Sequence, residues 1–280
     1  MAWLNLIIDL AALVLWLNWR QAGLEPLAVM APATLAGTLK RTQTAAPKRW
    51  KFGVALAALL LARVWLYLQL GGVATLSPRL RLGFVNIPFR INMPLDMLVF
   101  SLLSFGYVLA AFYLWMLLLS TLDGGARDSS PVASMVRLQI PRAEHWPRFV
   151  KLLSPFFLGG IAWTALHPLL WWLAAVPESK SAAQLTAQAA VSGLGTYLAW
   201  KYLILGVLLV HFVNAQAHLG AQPFWNYADS VGRNLLSPVR RLSLRIGRVD
   251  FLPLVVMALV MVLSHFVENP PDWLCRQLPF

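Results

Sequence analysis

Two ionisable side chains of opposite sign fall inside long apolar runs, where a charge is costly. Asp9 lies about six residues from one end of the first run, and Arg63 lies about seven residues from the matching end of the second. At about 1.5 Å per residue, both lie about 10 Å below the same membrane surface. A lone charge at a helix centre costs roughly 2.5–3.5 kcal/mol on insertion scales. Equal depth and opposite sign predict an intramembrane ion pair between adjacent antiparallel helices.

The same two residues have a second interpretation, as part of a proton or ion path. Asn5 and Tyr67 extend the two faces by one helical turn. Lys201 joins Asp9 and Arg63 in the transport alternative. We prefer the structural interpretation, because a pair that neutralises itself needs no transported ion.

The histidines raise the question of a cofactor, because histidines on two membrane helices are able to ligate haem. His167 and His265 fall in the same half of two spans, but their depths differ by several residues. We therefore expect helix-packing histidines and no cofactor, with haem as the alternative. The sequence has no nucleophile motif, phosphate loop or catalytically spaced carboxylate pair. We expect no catalytic or metal site and a protein that is not an enzyme.

The elements that position these residues are membrane helices. The chain of 280 residues is 59% hydrophobic and 12% charged, whereas soluble domains have about 45–50% apolar and about 25% charged residues. The apolar runs are about 20 residues long, enough to cross a bilayer. We predict an all-α polytopic membrane bundle with about six transmembrane helices. The predicted spans are 3–19, 52–70, 95–119, 149–175, 196–216 and 251–267.

The distribution of Lys and Arg between the spans predicts the topology. Segments 20–51, 120–148 and 217–250 are rich in basic residues, and segments 71–94 and 176–195 are poor. Basic loops stay in the cytoplasm, so the N- and C-termini are predicted outside. The net charge of +12 is explained by these loops, and nucleic acid is not an expected partner.

Two of the basic loops carry a related signature just before an apolar helix. Leu, Ile, Arg, an acidic residue and Pro occupy equivalent places in Leu138, Ile140, Arg142, Glu144 and Pro147 and in Leu244, Ile246, Arg248, Asp250 and Pro253. A carboxylate before a helix accepts a bond from its free N–H groups, and Pro is tolerated in the first turn. We predict that Asp250 and Glu144 cap the sixth and fourth spans. The alternative is a site for an anionic ligand or partner protein.

The second copy has features that the first lacks. Phe224 and Trp225 begin a segment in which Phe224, Ala228, Val231 and Leu235 form an apolar stripe. Such a helix either lies in the membrane interface or packs against the cytoplasmic side of the bundle. The basic residues of the two copies are candidate contacts for lipid phosphates or a partner: Arg142, Arg240, Arg241, Arg245 and Arg248.

These motifs resemble the YggT family of bacterial and plastid membrane proteins. The resemblance rests on Pro223-Phe224, on Leu236-Ser-Pro-Val-Arg-Arg241 and on Gly247-Arg-Val-Asp250-x-x-Pro253. It implies two parallel helical-hairpin repeats, a degenerate one at 95–175 and a better matched one at 196–267. An N-terminal helix pair at 1–94 and a tail at 268–280 lie outside the repeats. Gln222, where the family usually has Asn, departs from the pattern.

The resemblance implies a membrane organiser rather than an enzyme, located in a bacterial cytoplasmic (inner) membrane. Family members are linked to cell division, osmotic tolerance and, in plastids, assembly of a cytochrome complex. We therefore expect a scaffold or assembly factor that contacts membrane lipids and a membrane or cytoplasmic protein partner. A small transporter or channel with an intramembrane polar path is the alternative.

Overall fold

The computed structural model describes most of the chain and its long helices. The described residues are 2–28, 49–70, 78–82, 85–91, 93–122, 131–173, 176–177, 179, 181–217, 223–239, 245–246 and 249–268. The helices are α1 (Ala2–Ala28), α2 (Arg49–Leu70), α3 (Pro94–Leu122), α4 (Pro131–Gln139), α5 (Pro141–Glu144), α6 (Arg148–Trp172), α7 (Ala182–Gly195), α8 (Leu198–Ala217), α9 (Pro223–Leu236) and α10 (Leu252–Glu268). Two small two-stranded sheets pair β1 (Arg79–Leu82) with β2 (Val85–Pro88) and β3 (Arg245–Ile246) with β4 (Val249–Asp250).

Five helical stretches in the described part of the chain are long and apolar enough to cross a membrane. They are Trp3–Ala22, Arg49–Gln69, Pro94–Leu122, Arg148–Trp172 and Ala182–Ala217. Helix α10 has 17 residues, which is at the short end of the range that spans a bilayer. The all-α membrane class is confirmed, and five of the six predicted spans coincide with these helices.

The fifth of these spans is longer than its sequence predicted. Residues 176–195 were expected as a segment outside the membrane, but α7 occupies most of it and leads into α8. The Ser181 hydroxyl caps α7 by accepting a hydrogen bond from the Gln184 amide at 3.2 Å. Thr196 and Tyr197 separate α7 from α8. The residues of α7 are small and weakly hydrophobic, and they suit a helix–helix contact rather than lipid. The start of the fifth span was therefore not recognisable from the sequence.

The described chain separates into two compact units. The first consists of residues 1–80 and 88–109, and therefore holds α1, α2 and the beginning of α3. The second consists of residues 81–87 and 110–280 and holds the rest. Each unit has its own way of joining helices.

In the first unit, α1 and α2 pack antiparallel in a constant register. Asn5 meets Tyr67 and Asp9 meets Arg63, each through side-chain hydrogen bonds. At the other end of the pair, the guanidinium carbon of Arg49 lies 4.6 Å from the centre of the Trp19 ring. The contacts recur at helical spacing along both helices, which places them on one face of each.

In the second unit, α3 and α8 are joined by two tryptophans that donate in opposite directions. Trp200 Nε1 donates to the Leu114 carbonyl at 2.9 Å, and Trp115 Nε1 donates to the Ala199 carbonyl at 2.5 Å. Buried indoles need such partners, because an unmatched N–H in an apolar setting is costly. Leu118 completes the apolar cluster between the two helices.

The contact between α6 and α7 is made by glycines. A Cβ on Gly193 would lie 2.5 Å from the Phe156 carbonyl oxygen, and one on Gly160 would lie 3.3 Å from the Ala189 carbonyl oxygen. Gly159 faces the Thr196 side chain in the same way. The two backbones therefore approach as closely as small residues permit, which is the usual basis of dry helix packing in membranes.

Candidate functional site

The best-defined polar site lies among α1, α2 and α3 in the first unit. Arg63 Nη1 donates to Asp9 Oδ1 at 2.7 Å, and the side chains of Arg63 and Asp9 are 0% and 8% exposed. The structure thus brings together the two residues whose pairing the sequence predicted. Arg63 Nη2 also donates to Asn5 Oδ1 at 3.0 Å, and the Tyr67 hydroxyl donates to the same oxygen at 2.7 Å.

A third helix joins the pair through Ser104 of α3. The Ser104 hydroxyl accepts from Arg63 Nη2 at 3.0 Å and donates to Asp9 Oδ2 at 2.9 Å. The Phe100 ring, one turn earlier in α3, has its centre 4.9 Å from the guanidinium carbon, which is within cation–π distance. Ser104 could not be identified from the sequence, because a hydroxyl in an apolar run has no charge that demands a partner.

This arrangement has the chemistry of a tether rather than of an acid–base pair. Both oxygens of Asp9 accept hydrogen bonds from Arg63 or Ser104, and the carboxylate and the guanidinium cancel in charge. Burial without such partners would be very costly for either group. The network therefore stabilises one mutual placement of three helices.

Among the described residues of the second unit, two ion pairs join α8 to other helices, one near its start and one towards its end. Lys201 Nζ lies 2.8 Å from Glu268 Oε1 of α10, and His211 Nδ1 lies 2.7 Å from Asp229 Oδ1 of α9. Arg233 also donates to Asp229. Lys201 and His211 are about ten residues, or about 15 Å, apart along α8. The intervening residues 202–210 carry no ionisable side chain except the phenol of Tyr202. These charges join α8 to α10 and to α9 rather than forming one row.

Asp250 lies at the entrance of α10, as the sequence predicted. Its Oδ1 accepts from the backbone N–H of Leu252, the first residue of the helix, at 3.0 Å, and Pro253 is in the first turn. Asp250 also ends strand β4, where it pairs with Arg245 of β3. The carboxylate satisfies an N–H that has no partner within the helix.

Glu144 differs from Asp250 in backbone position, and its side chain lies outside what the structure describes, so its capping of α6 stays a prediction. Glu144 is the last residue of the short helix α5, and the N-cap of α6 is Pro147, which makes no side-chain hydrogen bond there. Pro141 starts α5, and the backbone N–H of Trp146 then bonds to the Ala143 carbonyl at 3.2 Å. This extra turn displaces Glu144 from the start of α6, so the two copies of the signature are not structurally equivalent.

The basic residues named as lipid or partner contacts are only partly described. Arg240, Arg241 and Arg248 lie outside the described residues, and for Arg142 and Arg245 only the backbone is described. Their proposed contacts stay predictions.

Helix α9 packs its apolar face against the bundle. Tyr227 and Val231 are buried in a cluster with Leu119 of α3 and Val136 of α4. The buried face is centred one position away from the predicted stripe, so Phe224, placed in that stripe, is 52% exposed. Trp225 is partly exposed beside it, the two ring centres being 5.2 Å apart. The face that packs is thus separate from the aromatic end.

The histidines do not form a shared site in the part of the chain that the structure describes. His167 is buried on α6 with its ring centre 6.1 Å from that of Trp163, whereas His265 of α10 is exposed. His211 pairs with Asp229. Among the described residues, no group of three or more His, Cys, Asp or Glu side chains is placed to hold a metal ion.

Comparisons with family models, curated proteins and solved structures gave no match for this chain. The YggT resemblance therefore rests on the quoted motifs alone and stays a prediction. Helix length and hydropathy make the chain a multi-pass integral membrane protein.

Proposed function

We propose that this chain is a non-enzymatic scaffold or assembly factor that organises protein partners in a bacterial cytoplasmic membrane. In this proposal, the helices form a fixed platform, and the cytoplasmic loops with the aromatic end of α9 contact lipid and partner. The YggT-like motifs, the parallel repeats and the sixth span through α10 belong to the same proposal. The predicted topology places the loops before α6 and α10 on the cytoplasmic side.

The observation that carries the proposal is that Arg63 and Lys201 are each paired with an acidic side chain of a neighbouring helix. Arg63 is held by Asp9, Asn5 and Ser104, and Lys201 is held by Glu268. A transport site needs polar groups that are able to exchange partners with a passing solute. Here the partners are side chains of neighbouring helices in the same unit, which favours a role in holding the platform together.

The transporter alternative is favoured by one observation, the depth of Asp9 and Arg63 in long apolar helices. In that alternative, both residues and Lys201 line one path. Within the second unit, the polar pairs of α8 are separated by about 15 Å of apolar helix, and this spacing argues against a path along α8.

Photo-crosslinking in native membranes tests the scaffold proposal. A photoreactive amino acid replaces Phe224 on α9 or, as a matched control, Leu209 on α8; both side chains are 52% exposed. We expect position 224 to capture the same protein in repeated experiments, identified by mass spectrometry, and position 209 to capture lipid. Capture of lipid alone at position 224 would contradict the proposal.

A flux measurement tests the alternative directly. The purified chain, reconstituted in vesicles, is assayed for proton, potassium and chloride movement with dyes sensitive to pH and potential. We expect no flux above that of empty vesicles. A flux that Asp9→Asn abolishes would replace the scaffold proposal with the transporter.

A further inference from the structure

Helix α1 is the weakest of the five candidate spans as an independent membrane helix. It has the lowest hydropathy of the five, and it places Asp9 deep in the pair with α2, where the side chain is 8% exposed. An unpaired Asp at a helix centre lowers the insertion equilibrium by a factor of roughly 60 to 300. The sequence of α1 alone therefore opposes its insertion.

The partner that removes this penalty is supplied by α2. Arg63 Nη1 lies 2.7 Å from Asp9 Oδ1, and Tyr67 follows one turn later to meet Asn5. Both links run between α1 and α2, and the candidate span in α2 has the higher hydropathy of the two. Helix α2 is thus able to enter the membrane first and to present the guanidinium that α1 requires.

Because α1 is synthesised before α2, Asp9 exists for a time without its partner Arg63. Arg63 follows Asp9 by 54 residues, which takes about 3–11 s at a synthesis rate of about 5–20 residues per second. During this interval the carboxylate of Asp9 has no guanidinium from α2. We propose that α1 is a conditional span, which crosses the membrane only as a hairpin with α2, and that Arg63 is the residue on which its crossing depends.

A purely structural pair would behave differently. If α1 inserts on its own and the pair only aligns inserted helices, loss of Arg63 weakens the packing and leaves the topology unchanged. If α1 is conditional, loss of Arg63 prevents the residues before Asp9 from crossing the membrane, and they remain on the side where the chain is synthesised. The topology of α1 therefore separates the two accounts.

The experiment labels single cysteines from each side of the membrane. Cys275 is replaced by Ser, and a cysteine is placed at Trp3 or at Lys51, near the two ends of the α1–α2 pair; both side chains are exposed. The full chain is synthesised without cells into lipid vesicles, so that proteolysis does not remove poorly packed variants. A membrane-impermeant maleimide then reports the side on which each cysteine lies.

With Arg63 present, we expect Trp3→Cys and Lys51→Cys on opposite sides. With Arg63→Leu, the share of molecules in which Trp3→Cys has crossed should fall at least about tenfold, because Asp9 is then unpaired. Asp9→Asn combined with Arg63→Leu should restore crossing, since the demand for a partner has gone. Tyr67→Phe, which removes one hydrogen bond and no charge, should cross like the parent.

Three outcomes would overturn the proposal. One is an unchanged crossing share in Arg63→Leu, which would mean that α1 inserts without its partner. Another is a failure of the double variant to cross, which would mean that something other than the unpaired carboxylate holds α1 back. Loss of crossing in Tyr67→Phe would likewise assign the effect to packing rather than charge.

Discussion

The α1–α2 pair and the α6–α7 pair solve the same problem, antiparallel helix association in a membrane, by opposite means. In α1–α2, side chains of a charged network bridge the two helices, with Arg63 bonded to Asp9. In α6–α7, glycines bring the backbones together, and a Cβ on Gly193 would lie 2.5 Å from a carbonyl oxygen. The α1–α2 contact depends on a few charged and polar side chains, whereas the α6–α7 contact depends on glycines that let the two backbones approach.

This difference determines how each contact should fail. A charged network that loses one member leaves its partner unsatisfied in an apolar setting, so the cost exceeds that of the lost bond. A glycine contact fails by steric overlap, and its cost depends on whether the opposing atom is able to move.

Arg63→Leu should have the largest effect on stability. It leaves the Asp9 carboxylate buried without its cation, and breaking a buried pair costs about 3–5 kcal/mol. Unfolding in mixed micelles, followed by circular dichroism as denaturing detergent is added, measures the loss. Arg90→Leu is a suitable control because Arg90 is exposed. If Arg63→Leu unfolds at the same detergent midpoint as the control, the charged network does not stabilise the protein.

Gly193→Ala should come next, at about 1–3 kcal/mol. The added methyl would overlap the Phe156 carbonyl oxygen, a backbone atom that cannot turn aside. Gly206→Ala in α8 is the matched control, because nothing lies within 4 Å of the position its Cβ would take. The same unfolding measurement should show the control unchanged or more stable, since Ala is the better helix former. Equal behaviour of the two variants would be evidence against close α6–α7 packing.

Asp229→Ala should loosen α9 from α8 by about 1–2 kcal/mol, because the side chain bonds to both His211 and Arg233. Hydrogen exchange measured by mass spectrometry should show faster exchange in α9 while α6 is unaffected. Leu209→Ala, at a side chain of α8 that is 52% exposed, should leave the exchange of α9 as it is. Uniform protection in both variants would mean that apolar contacts alone hold α9.

Ser181→Ala should have the smallest effect, about 0.5–1 kcal/mol, through loss of the N-cap of α7. Increased exchange should be confined to the first turn of α7, and Ser181→Asp should retain the parental exchange because Asp also caps well. A change that spreads to α6 would show that the cap supports the whole contact.

Charged positions in spans were the most informative part of the sequence. Asp9 and Arg63 were matched by depth and sign, and one helical turn beyond them Asn5 and Tyr67 were placed on the same faces. All four meet in the structure. This succeeded because a charge in an apolar run has few tolerable environments, so position and sign nearly determine the partner.

The remaining features have no comparable constraint in the sequence. Ser104 and Gly193 are small, and they fit lipid-facing, packed or loop positions equally well. Residues 176–195, which include α7, were therefore expected only as a segment outside the membrane. Glu144 differs in another way: it resembles Asp250 in sequence, but Pro141 starts a short helical turn that ends at Glu144 before α6 begins. Spacing alone does not reveal such a turn.

A double-mutant cycle between Asp9 and Arg63 tests directly whether the two charges stabilise the protein by pairing with each other. The unfolding free energies of the parent, Asp9→Asn, Arg63→Leu and the double variant are measured under one set of detergent conditions. We expect the double variant to be more stable than Arg63→Leu alone, with a coupling free energy of about 2 kcal/mol or more, because removal of both charges leaves neither one buried without a partner. Additive losses, with a coupling free energy near zero, would show that the two charges do not stabilise each other.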